Sequence, residues 1–433
     1  MVERDQLGGS EQEAEGINTV SGRRSPVAGL VSLSRWARLT LCALTALIIF
    51  SPTVYAQHEH HQPAPEQGWA WSFESSAFLT ATVQDRKFRD FHQIESQNWL
   101  MAMGSRRVGI GALTLHSMLS FEPFTLRDLG SSQVFQTGET FGGAPLIDYQ
   151  HPHDLFMGLS AAYERPFSGH TLMLRGGLVD EPALGPTAFM HRASANLHST
   201  APLSHHELDS THITHGVVTA GVRTGLWQLE ASAFQGREPD ENRTDLDLGA
   251  LDSFSVRGSW IRRDTRAQVS IGWLEEPHAT EPGDVTRITA SLEHVGMMRG
   301  RAARLTLAWG QNRELFDVEN GWLSEATLQL WQRGTGYLRG EIVDKHILGA
   351  GGAHLPGQQH PHIISRVGAL TLGYTHDLWR DATHAVAIGA DITGYRVPTE
   401  LADAYGRPLS AHVYARWTIR RGSAVRPQAP VFP

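Results

Sequence analysis

The feature that most restricts what this chain can become is a rhythm running from Gly68 almost to its end. Segments of roughly ten residues alternate apolar side chains with small or polar ones, the period of a strand with two unlike faces. Leu113, Leu115, Leu119 and Phe121 share one parity, as do Leu155, Met157, Leu159, Ala161 and Tyr163. Phe254, Val256 and Trp260 repeat it, followed by Val269, Ile271 and Trp273, then Leu305, Leu307 and Trp309, and finally Val413, Ala415, Trp417 and Ile419. No helical period persists beyond two turns. The pattern predicts strands over 69–82, 96–107, 110–121, 155–165, 170–178, 212–224, 227–236, 252–262, 267–274, 286–295, 302–311, 323–333, 336–344, 362–376, 384–395 and 411–420.

The connections alternate too. Arg165 to Gly169, Thr224 to Leu226, Arg263 to Arg266, Arg333 to Gly336 and Leu378 to Asp381 are tight. Glu122 to Asp154, Val179 to Thr211, Arg237 to Leu251, Lys345 to Pro361 and Pro398 to Ser410 are long and polar. Such a sequence places short turns on one rim and long loops on the other, and sixteen strands leave both chain ends on the short-turn side. In hydrocarbon every backbone donor and acceptor must be paired, which a sheet achieves only without an edge. The expected fold is therefore all-β, a closed antiparallel transmembrane β-barrel of about sixteen strands in a Gram-negative outer membrane. Trp69, Trp227, Trp260, Tyr337, Trp379 and Trp417, near strand ends, suit interfacial girdles. A soluble sandwich or propeller would show shorter strands and more uniform loops.

Ahead of the strands, Arg23, Arg24, Arg35 and Arg38 precede an apolar run from Leu39 to Phe50, with small residues around Val54-Tyr55-Ala56. That run is too short to span a bilayer and reads as a signal peptide. The expected organisation is a signal peptide with an N-terminal extension over 1–56, a His-rich tail over 57–68, the barrel over 69–420, and a C-terminal tail over 421–433. Cys42, the one cysteine, falls within the apolar run, so thiolate chemistry is excluded from the barrel. A formal net charge of -8 excludes the basic footprint of a nucleic-acid binder. The partners expected are outer-membrane lipid and small solutes or metal ions; the oligomeric state stays open.

Histidine is the compositional outlier, with 23 residues, none of them before position 58. His58 and His60 lie two apart in the tail, so on an extended chain they project to one side. The first long loop ends Asp148-Tyr149-Gln150-His151-Pro152-His153-Asp154, where Pro152 keeps the backbone extended and carboxylates flank both imidazoles. The next carries His191 and His198, then Ser204-His205-His206-Glu207-Leu208-Asp209-Ser210-Thr211-His212 and His215. His346, His354, His360 and His362 form a third group, and His360-Pro361-His362 echoes the earlier triplet. Imidazole beside carboxylate suits borderline divalent ions, copper or zinc, and the metal candidates are His58, His60, His151, His153, His205, His206, His212, His215, His360 and His362. Strand parity places His215, Thr219 and Arg223 toward the lumen, with Val218, Ala220 and Val222 toward lipid.

The stretch Ile147 to Phe156 resembles a block of a poorly characterised family of Gram-negative outer-membrane β-barrels with His-rich loops. Met190-His191-Arg192, Ala201 to His206 and Asp209 to Ile213 resemble further blocks of the same family. The resemblance covers most of the chain beyond the N-terminal segment. It implies a signal peptide and a barrel, leaves the function of its members open, and brings no catalytic residues; an association with copper or other heavy metals is the expectation set beside it. The C-terminus departs from the usual outer-membrane pattern of a terminal aromatic, since Arg421 to Pro433 follow the last strand.

The leading functional expectation is a channel for small solutes that handles transition-metal ions through its His-rich loops, with no covalent step. A barrel plugged by inward-folded loops, serving as a metal-binding or structural protein, is one alternative. A lipid hydrolase using Ser204 or Ser210 with His205, His212 or His215 is another, although no nucleophile-elbow sequence frames these serines.

Overall fold

The computed structural model describes residues 68–127, 129–278, 283–314, 317–347 and 364–422. The expected signal peptide, Cys42, nearly all of both tails, and His58, His60, His360 and His362 lie outside the described residues.

Nineteen strands form: β1 (Ala70–Arg86), β2 (Arg89–Glu95), β3 (Asn98–Val108), β4 (Gly111–Leu119), β5 (Ser131–Phe141), β6 (Ala144–Gln150), β7 (Phe156–Phe167), β8 (His170–Asp180), β9 (Thr214–Thr224), β10 (Trp227–Phe234), β11 (Ser253–Arg262), β12 (Thr265–Leu274), β13 (Val285–Met298), β14 (Arg301–Arg313), β15 (Val318–Trp331), β16 (Gly334–His346), β17 (Ile364–Arg380), β18 (His384–Arg396) and β19 (Leu409–Gly422). All except β5 and β6 belong to one antiparallel sheet. The last strand pairs with the first from Ser72↔Gly422 to Asp85↔Leu409, so the sheet closes on itself. β2 pairs with the Thr80–Arg86 end of β1 and β3 with Ala70–Ala77, so the two are halves of one strand interrupted at Ser96-Gln97. The result is a closed barrel of sixteen staves, and each expected strand has its counterpart in the expected order.

Side-chain alternation sorts the two faces. In β12, Val269, Ile271 and Trp273 are 61%, 50% and 37% exposed, whereas Arg266, Gln268 and Ser270 are 2%, 3% and 2% exposed. Apolar groups thus face outward to lipid and polar groups inward, the arrangement a bilayer requires. His215 and Thr219 are buried while Val218 and Ala220 are exposed, as parity predicts. Among the described residues no helix is long and apolar enough to cross a membrane.

Three expectations need correction. Met157 does not share the outward parity of Leu159. The β4–β7 register slips between Met118↔Gly158 and Leu119↔Phe156, and this bulge turns Met157 into the interior. Tyr337 belongs to no girdle: it shares the inward face of Arg339 and Glu341, and its hydroxyl donates to Asp391 at 2.9 Å. The loop rim is also not uniformly long, because β1 and β2 extend past their neighbours and meet in a two-residue turn at Lys87-Phe88.

The long loops fold inward. Within the first, β5 and β6 form a separate hairpin. Its Val134 and Phe135 pack with Leu203, Val343, Val367, Leu401 and Tyr405, fixing it against the wall and against the β18–β19 connection. The second, residues 181–213, fills the lumen as a plug held from around the wall. Ser232 Oγ accepts from Ala183 N–H, Ser270 Oγ from Gly185 N–H, and Glu341 from both the backbone and hydroxyl of Ser204. At the centre Arg192 is fully buried. It donates to Glu325 at 2.7 and 3.2 Å, to Asp209 at 2.9 Å and to the Thr187 carbonyl at 3.0 Å.

Candidate metal centre

The two inward loops bring five histidines together. His151-Pro152-His153 runs extended out of the hairpin, while the plug supplies a short helix, His205–Leu208, followed by a single 3-10 turn, Ser210–His212. Ring centres of His205 and His212 lie 5.1 Å apart, those of His153 and His212 5.4 Å, those of His205 and His206 5.3 Å, and those of His151 and His206 6.2 Å. Phe189 packs against His153, His205 and His212 at 5.8, 5.3 and 6.1 Å. His206 fits only because position 138 is glycine: a Cβ there would stand 2.3 Å from the imidazole.

Hydrogen bonds decide which ring nitrogens are available. His153 Nδ1 donates to Glu122 Oε2 at 2.8 Å, His205 Nδ1 to Asp209 Oδ1 at 2.8 Å, and His212 Nδ1 to the Asp209 carbonyl at 2.8 Å. An acceptor at Nδ1 fixes the proton there and leaves Nε2 as the ligand atom, the support metal-binding imidazoles usually have. Among the described residues, the buried Nε2 atoms of His153 and of His212 have no hydrogen-bond partner. Two rings sharing a tetrahedral ion through bonds of ~2.0–2.1 Å have centres about 5 Å apart, close to the spacing seen here. The three Nε2 atoms do not all lie within 4.8 Å of one another. Among the described residues only Asp240, Asp245 and Asp247, the first two exposed and the third half-buried, meet that spacing. Side-chain rotation must therefore complete a histidine site.

Electrostatics divide the cluster. Burial disfavours the imidazolium of His153, yet the Glu122 carboxylate outweighs it and raises the pKa, while His153 in turn holds Glu122 below its ordinary value. Burial lowers the pKa of His205 against the pull of Asp209. Burial and then neighbouring imidazoles push His206 and His212 well below theirs. These three are neutral at physiological pH, the form that binds metal. Around the edge, burial would raise Glu139, but His151 and Arg243 overcome it and bring it down to about 2. Burial drives Asp154 up to about 6 despite Arg243.

The predicted histidines thus separate. His153, His205 and His212 converge, the first and last with buried Nε2 atoms that have no hydrogen-bond partner among the described residues, and His206 adjoins them. His151 is spent, since its Nδ1 faces the Pro152 carbonyl at 2.9 Å and its Nε2 faces Glu139 at 2.6 Å. His215 stands apart, accepting from the Asp247 backbone at 3.0 Å. Ser204 donates to Glu341 and Ser210 accepts from Arg287, so neither hydroxyl is hydrogen-bonded to a histidine. Sequence reasoning missed Glu122, Phe189, Gly138 and the supporting role of Asp209. The Asp209 signal was legible as His-x-x-x-Asp across one helical turn, but Glu122 reaches His153 only through the fold.

A cavity of about 440 Å³ opens between plug and wall. His151, His153, Phe189 and His191 line one part of it, and Arg304, Arg380, Arg416 and Arg420 another. The four arginines lie toward the short-turn rim, where β14, β17 and β19 begin or end.

No protein-family model matches the chain, and no curated protein matches its sequence. Solved structures do match. The anion-selective porin from Comamonas acidovorans superposes with a TM-score of 0.51 at 9% identity, over 82% of this chain and 100% of that one. The fold is a porin fold. Pseudomonas putida OprB gives a TM-score of 0.50 at 7% identity, over 82% of this chain and 94% of that one. Together with the lipid-facing belt and the closed seam, this places the chain in the Gram-negative outer membrane.

Proposed function

We propose that the protein is an outer-membrane channel of restricted aperture whose lumenal histidines hold a divalent transition-metal ion, copper or zinc. The observation that carries the metal reading is the trio His153, His205 and His212, each with Nδ1 committed to an oxygen and two with buried, unpartnered Nε2 atoms. Glu122 and Asp209 orient the rings and raise their basicity, Phe189 keeps water from one side, and small rotations bring the Nε2 atoms onto one ion.

The arginines bear on what passes. Arg380 and Arg420 are paired with Asp377 and Glu74 beside them, which leaves Arg304 and Arg416 to attract small anions at the inner mouth and oppose escape of a free cation there. Metal is then retained in the lumen while small anionic solutes move, in keeping with the anion selectivity named for the Comamonas porin. A second reading, a plugged barrel that only binds metal, is favoured by the many wall contacts of residues 181–213.

Two measurements separate these. Purified protein in planar bilayers shows stepwise conductance if solutes pass, and silence across preparations leaves the plugged reading. Calorimetric titration with Zn(II) or Cu(II) gives a stoichiometric site that disappears in His153→Ala/His212→Ala. An unchanged isotherm removes the metal reading.

A further inference from the structure

The chain has nine methionines, and five of them, Met101, Met103, Met118, Met157 and Met190, meet in one cluster at or below 9% exposure. They arrive by three routes. Alternation along β3 sends Trp99, Met101 and Met103 inward and Leu100 outward. Met118 of β4 and Met157 of β7 lie side by side there, the latter turned inward by the bulge at Gly158. Met190 descends from the plug beside His191, whose Nε2 lies 3.2 Å from Met118 Sδ. The indole of Trp99 meets the His191 ring at 4.8 Å, inclined by 63°.

Polar side chains cover most of the inner wall, and methionine is a common gap filler where apolar contact is needed. Filling space alone, however, needs no ring nitrogen directed at a sulfur and no indole beside both. Thioethers are poor ligands for hard or borderline divalent ions and good ones for soft ions, and an aromatic face adds attraction for a desolvated cation.

We propose that Met101, Met103, Met118 and His191, with Trp99 against them, form a binding site for a soft monovalent cation, Cu(I) or Ag(I). It is separate from the histidine trio. Phe189 lies between them, packing on the methionines and touching His153, His205 and His212. The two sites therefore differ in the ions they select, and neither depends on the other being correct.

Ag(I), which needs no reductant, is the probe, in chloride-free buffer with the full chain in detergent. The unsubstituted protein should bind it tightly, and Met101→Leu/Met118→Leu, which conserves volume, should weaken binding by about 100-fold or more. Zn(II) titration should be unchanged in that variant, whereas His153→Ala/His212→Ala should lose Zn(II) and keep Ag(I). Equal Ag(I) affinity in parent and leucine variant, or none in the parent, overturns the proposal. X-ray absorption on the unsubstituted protein loaded with Cu(I) is independent of how any variant folds: sulfur neighbours are expected, and a shell of nitrogen and oxygen alone overturns it.

Discussion

Arg192→Ala should loosen the plug without unfolding the barrel. The guanidinium makes four hydrogen bonds inside the lumen, two to Glu325, one to Asp209 and one to the Thr187 carbonyl. Removing one partner of a buried ion pair costs ~3–5 kcal/mol, because the other charge is left desolvated and unpaired. Glu325 keeps Arg339 at 2.8 Å and Asp209 keeps His205 at 2.8 Å, which places the loss near the lower end, about 3 kcal/mol. Every 1.4 kcal/mol is tenfold, so the plug should open roughly 100 times more often. Strand pairing is untouched, so the loss should be local. Hydrogen exchange read by mass spectrometry should show residues 186–212 exchanging about 100-fold faster, with the strands unchanged. Single channels should gain openings of larger conductance. Unaltered protection of 186–212 in Arg192→Ala would refute the assignment of this residue as the plug's anchor.

Zinc affinity should fall about tenfold per pH unit below the raised pKa of His153, because the ion must displace one proton. In the metal-free protein the raised His153 stabilises the loop fully below 6.5 and less as pH rises through its folded value. The lowered Glu122 stabilises it above 4.5 and less as pH falls through its own. Loop protection in exchange experiments should therefore peak between these limits and lose that profile in Glu122→Gln. Gly138→Ala should expel His206 and free the β5–β6 hairpin, seen as new proteolytic cuts within 131–150; an uncut hairpin would contradict the close approach. Val269→Arg, placing charge on lipid-facing β12, should cost about 2–4 kcal/mol in reversible unfolding from vesicles, and a loss under 1 kcal/mol would argue against its depth.

The barrel was legible because the bilayer writes its demands residue by residue. Val269, Ile271 and Trp273 announce the lipid face, and Arg266, Gln268 and Ser270 the lumen, with no tertiary information needed. Where local geometry broke the period, reading failed: one extra residue at Met157-Gly158 reversed a side chain, and a lone glycine was the one sign of that bulge in the sequence. Loop interiors were less accessible still. The crowding of histidines in 151–153 and 205–212 was visible, but whether they met depended on both loops turning inward. That turn is set by contacts remote in sequence, such as Arg192 with Glu325 and Ser204 with Glu341. Glu122 sits 31 residues from the histidine it orients, beyond any spacing rule.

The seam between β1 and β19 joins groups that are nowhere nearer in sequence than Asp85 and Leu409, 324 residues apart. The first stave must therefore wait, one side bare, until translocation has delivered β19. A product stopped before Leu409 would carry two exposed edges into hydrocarbon and have no resting place in the bilayer. Biogenesis of this protein is consequently close to all-or-none, and its quality control falls on the final fourteen-residue strand.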